Sequence, residues 1–123
     1  MRSTIVSFLQ NGRGRQLQAA LSDDIVFHSP VRDYRGRTEV AHILSTIHTV
    51  LDTIDPQREL VGDRDTVTII TARYGAQRMT GVLFETSDQL GRIEHATLLL
   101  RPLGALLDAI AGMRTALQLG GQP

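Results

Sequence analysis

The sequence predicts an α+β domain in which helices lie on one face of a mainly antiparallel sheet, with a pocket between the layers. Three observations carry this expectation. A strand-like stretch, Asp24 to Ser29, sits between two helical patterns. Three longer strand patterns follow, joined by short turn-like loops. A last apolar stripe at helical spacing closes the chain. At 123 residues, with 41% apolar and 21% charged residues, the chain suits one domain with a single core. We take residues 1–123 as that domain, with 118–123 as a fraying tail.

In order, Ile5, Val6, Phe8 and Leu9 predict a short helix capped by Ser3. Asn11-Gly-Arg-Gly14 interrupts it, because two glycines that close disfavour helix. Helix then resumes to Leu21. Gly12-Arg-Gly-Arg15 lacks both a third glycine and a preceding strand, so it reads as a solvated turn rather than a phosphate loop. Ile25, Val26 and Phe27 favour strand, and Pro30 ends the pairing. Thr38 is the expected cap of a second long helix whose stripe is Val40, Ile43, Leu44, Ile47, Leu51 and Ile54. Pro56 is its stop. A short edge strand is expected near 57–61. The three strands run 65–74, 79–86 and 92–101, with hairpin loops at 75–78 and 87–91. Pro102 opens the last helix, with Leu103, Leu106, Leu107, Ile110, Met113 and Leu117 inward, and Gly120 ends it.

Composition excludes several classes. Formal net charge is zero, which argues against nucleic acid as a partner and favours self-association. There is no cysteine, and the histidines show no metal-ligand spacing, so neither thiolate chemistry nor a metal or other cofactor is expected. No apolar run reaches membrane-spanning length, and the N-terminal run is too short for a signal peptide; the cytoplasm is the expected compartment. No Gly-x-Ser-x-Gly elbow supports a serine nucleophile.

The motifs Leu21-Ser-Asp-Asp-Ile-Val-Phe-His-Ser-Pro30, Tyr34-Arg-Gly-Arg37, Gly91-Arg-Ile93 and Arg101-Pro-Leu103, in that order, resemble the nuclear-transport-factor-2-like superfamily, most of all its SnoaL-like (polyketide cyclase-like) branch. The resemblance implies a cone-shaped half-barrel, a curved sheet with helices on its concave face, also described as a cystatin-like roll. It also implies an apolar pocket and, in many members, a dimer through the outer sheet face. Enzymes of this fold include ketosteroid isomerases and epoxide hydrolases. Aligned by motif, the isomerase base falls on Ser29, its tyrosine on Ile5 and its protonated aspartate on Leu83, so all three groups are absent. Of the hydrolase Asp-Arg-Asp set, only the arginine is matched, by Arg73; the acids fall on Gly75 and Leu98.

With Arg73 and Leu98 inward, strand alternation turns Glu94, Ala96, Leu100, Met79, Leu83 and Glu85 inward as well. The resulting catalytic candidates are His28, Arg73 and Glu94. His28 is a proton carrier at the pocket loop. Arg73 polarises a carbonyl or binds a carboxylate, unless it is simply paired with Glu94 or Glu85. Phe27, Ser29, Tyr34, Met79, Leu83 and Leu98 are the candidate ligand contacts. His28 and Tyr34 also have plain packing readings. Three functions remain open at this point: a cyclase, isomerase or epoxide-opening enzyme acting on a largely apolar molecule, a non-catalytic binder of such a molecule, and a dimeric interaction domain. The expected dimer face is Ile70, Ala72, Tyr74, Val82, Phe84, Ile93 and Leu99.

Overall fold

The computed structural model describes residues 3–120. Two short helices come first, α1 (Thr4–Asn11) and α2 (Gly14–Ala20), separated at the expected glycines. Ser3 caps α1, its Oγ accepting from Val6 N at 3.1 Å. Gly12 closes α1 in the left-handed region, φ 76°, and its N–H donates to the Phe8 carbonyl. The His48 imidazole lies where a Cβ on Gly12 would reach, 2.7 Å from Nε2, and its Nδ1 is 2.7 Å from the Leu9 carbonyl. Glycine is therefore required there twice, for its φ and for its missing side chain.

Strands β1 (Leu21–His28) and β2 (Asp33–Arg35) follow, then α3 (Arg37–Val50) and strands β3 (Thr53–Val61), β4 (Asp65–Tyr74), β5 (Gln77–Ser87) and β6 (Ile93–Arg101), then α4 (Leu103–Gly120). The six strands form one curved sheet in the order β2-β1-β6-β5-β4-β3. Only β1 and β6 pair in parallel; the other neighbours are antiparallel. Residues 21–50 thus place a strand beside the last one and return a helix across the concave face.

Several local expectations are corrected. The second long helix stops at Val50 rather than Pro56, and Leu51 and Ile54 point inward from extended chain. Pro56 lies within β3, an edge strand with a register shift between Pro56 and Arg58, where its missing N–H is tolerated. Gly36, not Thr38, occupies the N-cap of α3. The three-residue β2 pairs with β1 inside what reads as a loop. Residues 118–120 continue α4, and residues 121–123 of the expected tail lie outside the described residues. On α4, Leu103 and Leu107 are 67% and 53% exposed, and Ala105 and Ala109 take the buried positions instead.

The largest correction concerns β4. Thr68, Ile70 and Ala72 are buried on the concave side, whereas Arg73 is exposed on the outer side. Tyr74 packs on the core, its hydroxyl lying where a Cβ on Gly112 of α4 would reach. Ile70, Ala72 and Tyr74 are therefore not outer-face residues, and Ile93 is buried in the core cluster. The outer face of β4 is Val67, Ile69, Thr71 and Arg73, in register with Phe84, Val82, Thr80 and Arg78 of β5. On β5, and on β6 after the register shift at Ile93, the expected alternation does hold: Met79, Leu83, Glu85, Ala96 and Leu98 are buried on the concave side.

Close contact between β5 and β6 fixes this layer. A Cβ added to Gly81 would run into the Leu99 carbonyl and reach within 2.9 Å of the Leu100 side chain. Backbone cannot yield as a side-chain tip can, so overpacking here should be expensive. Gly81→Ala is expected to lower stability by about 2 kcal/mol or more in urea unfolding. An unchanged unfolding midpoint would show that the two strands are not held so closely.

Candidate ligand-binding cleft

A cleft of about 260 Å³ opens between the concave face of the sheet, α3 and α4. Its floor is Leu98 and Leu100 of β6. One wall is Ile43 and Ile47 of α3 with Leu51 just beyond it. The other is Leu106, Ala109, Ile110, Met113 and Leu117 of α4, successive turns of one helix face. The loop Ser29-Pro-Val-Arg32 and Tyr34 form the rim, together with Arg114. The cleft lies where the apolar stripes of α3 and α4 face each other across β6.

The rim loop is rigidly tied. Ser29 Oγ donates to the Arg32 carbonyl at 2.8 Å and accepts from the Val31 and Arg32 amides at 3.2 and 3.1 Å. Its hydroxyl is thus engaged in holding the turn. Arg32 lies over the Tyr34 ring, 4.5 Å from its centroid, and donates to Glu39 Oε1 at 3.0 Å. Tyr34 in turn stacks on buried Phe27, with ring centroids 6.3 Å apart.

Among the nine site residues expected from the sequence, Ser29, Tyr34 and Leu98 line this cleft. Phe27, Met79 and Leu83 share its side of the sheet but are fully packed core beneath it. The three expected catalytic residues are elsewhere. Arg73, expected inward, is exposed on the outer face and does not line the cleft. His28 also points outward: it pairs in register with Thr97, its Nδ1 is 2.7 Å from Asp33 Oδ1, and its ring is parallel to His95 at 6.2 Å. Glu94 falls at a register shift, where Thr86 pairs with His95 and Ser87 with Ile93, and it does not line the cleft. The α3 and α4 walls and both rim arginines were not anticipated as site residues. Their helical stripes were visible, but a stripe reads the same whether it meets a neighbour or a gap.

Acids do lie on the concave side beyond the cleft: Glu85, and Glu59 in register with buried Thr68. Glu85 is 4% exposed, one row of side chains beyond Leu83 and Leu98. Burial pushes its carboxyl up to about 7; a hydrogen bond with the Ser3 side chain pulls it down, and the nearby Glu59 charge adds to the rise. Glu59 itself accepts from Ser3 N at 2.8 Å. Ser3 thus joins the start of α1 to both acids.

No family model and no curated protein matches the chain by sequence. Solved structures do match it. A bacterial protein with a cystatin-like fold from Silicibacter pomeroyi superposes with a TM-score of 0.85 at 20% identity, over 94% of this chain and 86% of that one. A steroid delta-isomerase from Pseudomonas aeruginosa gives 0.83 at 26% identity, over 96% of each chain. An NTF2-like protein of unknown function from Cytophaga hutchinsonii gives 0.70 at 10% identity, over 83% and 88%. The chain has the nuclear-transport-factor-2-like fold. No group of three or more potential metal ligands clusters among the described residues, and no helix there is long and apolar enough to cross a membrane.

The Glu85 environment makes stability pH-dependent in a defined direction. Its folded carboxyl titrates near 7 against an ordinary value of 4.5. Stability from the protonated form is therefore fully present below about pH 4.5 and is lost as the pH rises through about 7. Denaturant titrations at about pH 5 and about pH 8 should show wild type losing up to about 3 kcal/mol relative to Glu85→Gln. Parallel pH profiles for the two proteins would refute a neutral buried Glu85.

Proposed function

We propose that this chain binds a largely apolar small molecule in the α3–α4 cleft and does not turn it over by acid–base chemistry. The observation that carries the reading is the lining itself: an apolar cavity of about 260 Å³ with no aspartate, glutamate or histidine in its wall among the described residues. A general base must come within hydrogen-bond reach of the proton it removes. Glu85 lies a row deeper, His28 lies on the other side of the sheet, and the Ser29 hydroxyl is engaged in its turn. Within the fold we place the chain with the SnoaL-like proteins, on the order of its four motifs. We keep the cytoplasm as its compartment on the cysteine-free composition alone.

The likeness to a steroid delta-isomerase favours a second reading, in which a steroid is isomerised here. The residues at the matched positions weigh against it. Ile5 and Leu83 are closed core positions, with no donor for an oxyanion.

A neutral fluorescent probe, N-phenyl-1-naphthylamine, tests binding. We expect saturable enhancement at one probe per chain, weakened about tenfold or more by Ile110→Trp, which fills the cleft. Binding that survives this substitution would place the ligand elsewhere. Turnover of a steroid substrate by wild type would overturn the non-catalytic reading.

We further propose that a second copy covers the outer sheet face. Its middle rows are Val67, Phe84 and Thr97, then Ile69, Val82 and Leu99, with Phe84 42% and Leu99 58% exposed. Towards one end lie Asp65 and His95, with Arg35 in the same row, and His28 and Asp33 beside Thr97; the other end carries Arg73, Arg78 and Arg101. A two-fold axis across the strands lays each arginine end over the other copy's acid and histidine end. Light scattering at micromolar concentration should give twice the chain mass, and Leu99→Asp should give a monomer. A wild-type monomer would exclude this interface.

A further inference from the structure

Resting on the binding reading above, we infer that the ligand is an apolar molecule carrying one carboxylate, with the carboxylate held at the cleft rim by Arg114. The charge distribution around the cleft points to this class. Among the described residues its wall contains two charged side chains, Arg32 and Arg114, and both are cationic. Arg32 is already balanced: it ion-pairs with Glu39 and rests on Tyr34. Arg114 has no hydrogen bond or ion pair among the described residues. It follows Met113 on α4 and lies four residues from Ile110 and three from Leu117, so it continues the same apolar wall at its solvent edge.

An amphiphile fits that order of surfaces. Its apolar body would replace water along Leu98, Leu100, Ile47 and Ile110. Its head would stay at the open rim, where a carboxylate keeps part of its hydration and meets a guanidinium in the matching two-pronged geometry. A neutral molecule would leave Arg114 as it is. A cationic molecule would meet two like charges and no anion in the lining.

Three ligands of one chain length separate these cases: decanoate, decanol and decylammonium, titrated by calorimetry near neutral pH below their micellar concentrations. Wild type should bind decanoate about tenfold more tightly than decanol, the size of effect a charge-assisted contact gives. Decylammonium should bind weakest. The decanoate advantage should shrink as salt is raised. It should vanish in Arg114→Gln and persist in part in Arg114→Lys. Circular dichroism melts check that these substitutions at an exposed position leave the fold intact. Equal binding of decanoate and decanol by wild type would overturn the carboxylate inference and leave the apolar-ligand reading standing. An advantage that survives Arg114→Gln would overturn Arg114 as the anchor. No binding of any of the three would overturn the ligand-binding reading itself.

Discussion

The concave face of the sheet must be closed by helices that cannot touch all of it. Where β5 and β6 run so close at Gly81 that no Cβ fits, their side chains stand in fixed rows: Gly81 beside Leu100, Leu83 beside Leu98, Glu85 beside Ala96. Around Glu85 the rows are sealed by α1, anchored through Ser3. Around Leu100 they lie under α4, which meets the sheet with small residues, Ala105 and Ala109, on its most buried line. Small residues let the helix come near without filling the space beside it, and the cleft is what remains. The closed end and the open end are thus consequences of one packing arrangement.

That arrangement also separates the chemistry of the chain into compartments. The buried acid is at the sealed end, where its environment favours the neutral form. The two histidines that stack lie on the convex side with Asp33. The cleft has hydrocarbon and two guanidinium groups. In enzymes of acid–base type, titratable groups converge on the space where a substrate sits. Here the buried acid and the stacked histidines lie around the cleft and not in its lining.

Much of the architecture was legible in the sequence because several local signals agreed. The glycines at 12 and 14, the strand formers at 25–27 and the hairpin loops after β4 and β5 each demand what the fold supplies. The facing of β4 was not legible. Val67 and Ile69 are as apolar as Ile70 and Ala72, so alternation fits either side, and a one-residue choice turned Arg73 inward. The end of α3 was hidden for a similar reason: Leu51 and Ile54 keep helical spacing while reaching the core from extended chain. In β2, three residues are too few to show a period. Of the candidate site, the rim residues Ser29 and Tyr34 could be read from the motif that holds them, and Leu98 from its strand. The α3 and α4 walls could not be read, since they depend on how far apart two helices settle.

Distance between helices also bears on selectivity. A wall of Ile43, Ile47, Ile110 and Met113 offers shape but little direction, because dispersion contacts do not distinguish one hydrocarbon from another of equal width. Methionine at 113 adds tolerance, being able to follow the outline of whatever enters. On the binding proposal, orientation would then come from the rim. There the turn around Ser29 and the Phe27–Tyr34–Arg32 stack are held by their own contacts before anything binds. A preformed rim needs little ordering when a ligand arrives, so even a single polar contact made there can be kept almost undiminished. On the binding proposal, the greasy interior would set how large a molecule fits, and the edge would determine which way round it lies.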